Sequence, residues 1–166
     1  MIRMGTVLIM GGIIGSMIIA LAVYTLYQPT VIEVSRGEFA TVGPVEYSVL
    51  FHGIHDGNKN FVPDNTFVSI FIEMRNIHTE TVSVSGAQFY IIDEDGRRHW
   101  PVFGNGTMGP EDLLVAELEP ASLVSRTTQF DIPYDSDTTY KILVRPAKDH
   151  SGGDPVIFCI TNCGQE

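Results

Sequence analysis

The sequence predicts an all-β domain, an antiparallel sandwich, carried behind one N-terminal membrane-spanning helix. Three observations lead there. Residues Met4 to Tyr27 form 24 positions without a charge; the chain beyond them alternates apolar and polar residues with a period of two; and Gly, Pro, Asn and Asp clusters cut that alternation into short runs.

The first segment, MGTVLIMGGIIGSMIIALAVYTLY, reaches about 36 Å as a helix at ~1.5 Å per residue, enough for a hydrocarbon core of about 30 Å. Ala20-Leu21-Ala22 resembles a signal-peptide cleavage site. The apolar run nevertheless continues through Val23, Tyr24, Leu26 and Tyr27, past the roughly 7 to 15 residues of a secretory apolar region. Arg3 precedes the segment, and Glu33 and Glu38 follow it, so the N-terminus is expected in the cytoplasm and the domain outside. Tyr24 and Tyr27 then fall at the outer interface, where amphipathic rings are favoured. Gly12, Ser16 and Ala20 share one stripe at four-residue spacing, with Gly11 and Gly15 beside it. In lipid, small residues let a second helix approach closely, so this stripe is a candidate packing face. The expected organisation is an anchor over residues 1–27, a linker and first strand over 28–43, and a sandwich over 44–166.

The extramembrane part is acidic. All 20 Asp and Glu lie in it with nine Lys and Arg, a net of −11. Nucleic acids and anionic lipids require clustered cations, so neither is expected as a partner. Protein or neutral surfaces fit better.

Within this part, Val45, Tyr47, Val49 and Phe51 alternate with Glu46, Ser48, Leu50 and His52, and Val68, Ile70, Ile72 and Met74 with Ser69, Phe71, Glu73 and Arg75. Each set reads as a strand with one buried face. Further strands are expected over 31–39, 82–92, 97–103, 113–118, 124–132, 138–144 and 156–160. Asp93-Glu94-Asp95-Gly96 is a hairpin turn in which Gly96 supplies a positive φ, and 53–63 and 104–110 read as longer loops. Short strands at this spacing make a sandwich. Asp137-Thr138-Thr139-Tyr140 matches the start of the penultimate strand of an immunoglobulin domain, with Tyr140 at the tyrosine-corner position. Ile142 stands where antibody domains place the second core cysteine, so the likeness is architectural.

FVSIFIEMRN at 67–76, then VSVSGAQFYIIDEDGRRH, LEPASLVSRTTQFDIP and TYKILV, resemble the telokin-like, immunoglobulin-like domains of bacterial and archaeal lipoproteins and single-span surface proteins. In that family a strand ending in Asn precedes an x-x-Asp-x-Asp-Gly hairpin, and a Pro-started turn leads into a strand ending Phe-x-x-Pro. Here these are Asn76, Asp93 to Gly96, Pro120 and Phe130 to Pro133; Ala121 replaces the Gly that often follows the Pro. The resemblance covers residues 66–145 and implies an extracytoplasmic binding or accessory module with no active site to carry across.

No Gly-x-Ser-x-Gly elbow or His-Glu-x-x-His pair organises the Ser, His and Asp residues, and pairs such as Glu111-Asp112 and Glu117/Glu119 read as solvated surface. The expectation is a non-enzyme without a cofactor. His52 and His55, three apart, are candidate ligands for zinc or copper, and exposed loop histidines are the plainer reading. Cys159-Ile160-Thr161-Asn162-Cys163-Gly164 resembles part of a binuclear copper loop, but Gln165 and Glu166 supply neither the His nor the Met that would complete it. In an oxidising compartment the two cysteines more simply form a local disulfide, provided a turn brings their Cα atoms closer than the ~13 Å of an extended strand. A bridge to another subunit and free thiols are the other states open to them. Asn105-Gly106-Thr107 is a glycosylation sequon in an outward loop. Phe51 to Phe61 and Phe103 to Met108 bring aromatic and Met side chains to loops, where a partner could cover them. Two functions remain: a membrane-anchored accessory or protein-interaction module, a subunit of a larger membrane complex, or a metal or redox module using Cys159/Cys163 and His52/His55.

Overall fold

The computed structural model describes residues 4–26, 31–103 and 112–164, with helix side chains described from Gly12 to Thr25. It separates into two units, Met1–Thr30 and Val31–Glu166. The first holds α1, Met4–Leu26, 23 residues with no acidic or basic group in its end turns. Its described hydroxyls turn back onto the helix: Ser16 Oγ donates to the Ile13 carbonyl at 2.8 Å and Thr25 Oγ1 to that of Ala22 at 2.9 Å. Among the described residues no helix is long and apolar enough to cross a membrane.

The second unit is a β-sandwich. A four-stranded sheet is ordered β2 (Ala40–Val42), β3 (Val45–His55), β4 (Thr66–Asn76), β9 (Leu123–Ile132). Opposite it, a five-stranded sheet is ordered β1 (Ile32–Val34), β11 (Val156–Cys159), β10 (Lys141–Val144), β6 (Phe89–Ile92), β7 (Arg98–His99). β5 (Val82–Ser85) and β8 (Val115–Leu118) form a separate antiparallel pair. The expected alternation holds on the central strands. Val45, Tyr47 and Val49 of β3, Val68, Ile70, Ile72 and Met74 of β4, and Ile142, Val144, Val156 and Phe158 from the other sheet meet in one buried cluster. Burial pushes the Tyr47 phenol above its ordinary range, an effect its hydrogen bond with Gln88 partly offsets.

Tyr140 closes a tyrosine corner: its hydroxyl donates to the Pro133 carbonyl and accepts from the Asp135 amide, both at 3.0 Å. The Asp93–Gly96 hairpin forms as expected, with Gly96 at φ 75° and its amide on the Asp93 carbonyl at 3.0 Å. Asp93 also accepts from the Arg97 amide at 2.8 Å and meets His99 Nε2 at 2.9 Å. Partial burial raises the Asp93 pKa, but the hydrogen bonds and charges of His99 and Arg97 outweigh it and leave the carboxyl below its usual range.

Several expectations need correction. Residues 31–43 lie in the unit Val31–Glu166 and hold two strands, β1 and β2, where one first strand is expected. The run 31–39 is not one strand: β1 stops at Val34, the chain turns at Gly37 with φ 80°, and β2 starts at Ala40. The sandwich is not purely antiparallel, because β1 pairs with β11 in parallel, Ile32 beside Val156 and Val34 beside Phe158. The run 82–92 is broken by a 3-10 turn at Gly86–Gln88 that moves the chain from one sheet to another. Finally, β3 continues through Gly53 to His55, shortening the expected loop; the register shift between Phe51 and Gly53 makes His52 the extra residue of a bulge.

The turn after β8 runs through Pro120 and Ala121. Ser122 N donates to the Glu119 carbonyl at 3.0 Å, and Ala121 sits at φ 57°, a left-handed conformation costing an L-residue roughly 1–2 kcal/mol. Ala121→Gly removes that strain while loosening the unfolded chain by about 0.4–1 kcal/mol. The expected result is a net gain of up to about 1.6 kcal/mol in urea unfolding; a loss would mean the turn is unstrained. Acid unfolding tests the hairpin. A carboxyl with a lowered folded pKa stabilises above the unfolded carboxylate range, near pH 4, and that contribution disappears as pH falls through the folded value. Asp93→Asn is therefore expected to flatten the wild-type loss of stability below about pH 4, and an unchanged acid limb would remove Asp93 as a contributor.

Candidate functional site

A concavity lies where β1 and the C-terminal turn flank the five-stranded sheet. It is an open cleft of about 830 Å³, walled by Glu33, Val34, Ser35 and Arg36 on one side and by Asn162, Cys163 and Gly164 on the other, with Thr139, Lys141 and Cys159 also lining it. Across it Lys141 Nζ meets Glu33 Oε1 at 2.6 Å, so this cation is neutralised in place.

Cys159 and Cys163 are bridged at 2.09 Å, with their Cα atoms 5.7 Å apart. The turn that makes this reach possible passes through Asn162 at φ 46°. It is held by the segment leading into β10: Asn162 Nδ2 donates to the Ser136 and Thr138 carbonyls, Thr139 Oγ1 to the Asn162 carbonyl, and Tyr140 N to Thr161 Oγ1. The bridge and tyrosine corner thus secure neighbouring stretches of chain. A closed disulfide removes both thiolates from metal chemistry, so the copper-loop likeness ends at spacing.

The bulge in β3 brings His52 and His55 to the outer face of the four-stranded sheet, but to different neighbours. The His52 ring stacks over Phe71 at 6.5 Å. His55 Nε2 is 3.0 Å from Gln129 Oε1, and its Nδ1 accepts from the Gly57 amide at 3.1 Å. Both ring nitrogens of His55 are thereby engaged within the protein, and among the described residues no cluster of three or more His, Cys, Asp or Glu is placed to hold a metal.

Of the helix stripe, Gly12, Ser16 and Ala20 are exposed, and a Cβ added at Gly12 or Gly15 would meet nothing within 4 Å. Asn105, with Met108 beside it, lies outside the described residues. The aromatics expected to await a partner are packed inside the domain instead: Phe51 stacks on Tyr134 at 6.0 Å and Phe61 on Phe67 at 5.0 Å. Phe103 stands so close to Gly86 that a Cβ there would lie 2.5 Å from its ring.

Among the described aromatics of the sandwich the most exposed is Trp100, at 63% against 43% for Phe39, resting edge-on against Tyr90 at 4.5 Å. The sequence reading passed over it. Its signal was the alternation Arg98-His99-Trp100-Pro101, in which His99 points to Asp93 and Pro101 is buried, leaving Arg98 and Trp100 for the other face.

Residues 34–154 match the family model described as Domain of unknown function (DUF4352). The chain belongs to the DUF4352 family. Among solved structures, YjhA from Bacillus subtilis is similar at 16% identity over 76% of this chain and 98% of its own, with a TM-score of 0.57. The secreted protein MPT63 from Mycobacterium tuberculosis is similar at 13% identity over 80% and 99%, TM-score 0.57. The putative lipoprotein YcdA from Bacillus subtilis matches at 12% identity over 80% of this chain but only 40% of its own, TM-score 0.58. At these identities the likeness is one of fold. No curated protein sequence matches the chain. This DUF4352 domain thus shares a sandwich fold with proteins of 12–16% sequence identity.

The clip makes a quantitative expectation. Closing so short a loop stabilises by ~2 kcal/mol at most, and the tail turn is also hydrogen-bonded. Cys159→Ser with Cys163→Ser is expected to lower stability by that amount or less while leaving the sheet circular-dichroism signal intact. Complete unfolding of the double variant would show that the bridge holds the fold rather than the tail.

Proposed function

We propose that this DUF4352 chain is a membrane-tethered, extracytoplasmic, non-catalytic module that works by binding protein partners as a subunit of a larger membrane assembly. The observation that carries this reading is the joining of two parts: a 23-residue helix without a charge and a sandwich whose C-terminal turn carries a disulfide. Counted whole, Met4–Leu26 reaches about 34 Å, against about 30 Å of hydrocarbon. A disulfide persists on the oxidising side of a membrane, which agrees with the direction given by Arg3, Glu33 and Glu38. Similarity in fold to a secreted protein and a putative lipoprotein supports the same side. The telokin-like, immunoglobulin-like relationship read from the motifs fits the tyrosine corner and the Asp93–Gly96 hairpin.

Binding rather than catalysis is supported by how the concave site is used. The Glu33–Lys141 pair cancels its own charge, the cysteines are bridged, and the Thr139 hydroxyl and Asn162 amide are spent on backbone groups. A general acid or base needs a group free to exchange a proton with substrate.

Gly12→Leu with Ser16→Leu is expected to weaken co-purification of membrane partners in mild detergent without moving the melting temperature of the sandwich, because it fills a packing face within lipid only. Intact association in that variant would reduce the helix to a passive tether. A reporter fused after Glu166 is expected to be active only outside the cytoplasm, and activity inside would overturn the topology.

A further inference from the structure

We propose that the outer face of the five-stranded sheet, centred on Trp100, Tyr90 and Arg145, is the surface on which this module receives an acidic segment of a partner protein. The inference deepens the interaction-module reading above and rests on it.

Strand register puts an apolar row across this face. Tyr90 is opposite Leu143, and Leu143 opposite Ile157, while Trp100 extends the row by its contact with Tyr90 at 4.5 Å. Tyr90 and Leu143 are each only 5% exposed, so the row is a firm floor; Trp100, at 63%, stands out from it. Cations flank the row on both sides. Arg98 pairs with Ile92, and Ile92 with Lys141, one step along the strands. On the other side, the Arg145 guanidinium lies 5.9 Å from the Tyr90 ring centroid and donates to its hydroxyl at 3.3 Å.

The charge distribution points to the occupant. The domain carries nine cationic side chains against 20 acidic ones, yet the outward strand positions of this sheet hold Glu33 as their one carboxylate, and Lys141 already neutralises it at 2.6 Å. On the hairpin tip, Asp95 is likewise met by Arg97 at 3.5 Å. The other sheet shows the reverse, with Glu46, Glu73 and Asp131 on its outward strand positions against Arg75. Among the described residues Arg98 and Arg145, beside Trp100 and Tyr90, enter no ion pair, and such cations complement a negatively charged partner segment. Trp, Tyr and Arg are also the side chains that most often dominate protein interfaces, whose cores are depleted in Lys, Glu and Asp. A nucleic acid would present uniform negative charge to a domain of net −11, and a second copy would bring another −11 of its own. Both are repelled at long range, whereas a short acidic segment with apolar residues between its carboxylates meets the local patch.

The test uses the full chain in its native membrane, with a photo-reactive phenylalanine placed at Ile157 on this face or at Leu123 on the opposite sheet. The expected result is a protein cross-link from position 157 that maps to an Asp- and Glu-rich segment, weakens with added salt, and falls about tenfold in Arg98→Glu, as for a reversed charge meeting an opposite one. Trp100→Ala is expected to reduce it comparably while leaving the melting temperature nearly unchanged. Because Arg98 is exposed and Trp100 mostly so, neither change is a folding defect. Cross-links from 123 alone would overturn this face while sparing the interaction-module reading. Cross-links from 157 to a second copy, to a glycan, or to a segment indifferent to Arg98→Glu would overturn the assigned occupant. Silence from both positions would overturn the face together with the module reading.

Discussion

The sandwich depends on what happens at the end of β4. This strand is paired along both edges, with β3 and with β9, so its path fixes theirs. It ends in Asn76, whose side chain is 1% exposed and would cost roughly 1–3 kcal/mol if left unpaired there. It is not left unpaired. Asn76 Nδ2 donates to the Glu80 and Leu118 carbonyls at 2.8 Å each, and Oδ1 accepts from the His78 amide at 2.8 Å. Those bonds turn the chain out of β4 and hold the end of β8 beside it, setting where the β5–β8 pair can form. The buried amide thus converts a local strand end into a decision about topology.

A second polar residue governs the crossing between sheets. Gln88 accepts from Ser85 N at 2.8 Å, and its Nε2 donates to the Arg145 carbonyl at 2.9 Å. With Gly86 pressed under the Leu113 carbonyl and Phe103, this turn delivers β6 beside β10 in the register that aligns Tyr90 with Leu143. Arg145 is drawn to the same place by its own amide, which donates to the Gln88 carbonyl at 2.9 Å. The cationic aromatic face is therefore a consequence of core satisfaction: the groups that settle the crossing also bring Arg145 over Tyr90. Function, on this account, uses side chains that the fold had already oriented.

Alternation, turn residues and the uncharged segment were legible in the chain because each depends on near neighbours. Period two places Tyr47, Ile70 and Ile72 inside, Gly96 marks its own turn, and the sequence around Tyr140 names its corner. Proximity in sequence also made the Cys159–Cys163 bridge a natural expectation, needing one turn between the two residues. Where the reading failed, it failed at pairings between distant segments. Nothing near Ile32 says that it will lie parallel to Val156, nor does anything near Val82 say that its run must change sheets at Gly86.

The sequence by itself determined an uncharged segment followed by an acidic β-domain with its core positions, since period, charge and turn preference are properties of neighbouring residues. Tertiary structure alone decided which aromatics are spent and which are free. Phe51, Phe61 and Phe103 look available on loops, yet they fill space against Tyr134, Phe67 and Gly86, while Trp100, just past the short edge strand β7, stays in solvent. It decided the fate of His55 in the same way, by bringing Gln129 to one nitrogen and the Gly57 amide to the other. Exposure and hydrogen-bond occupancy are set by the segments that arrive from elsewhere in the chain, and those arrivals follow from sheet pairing rather than from local composition.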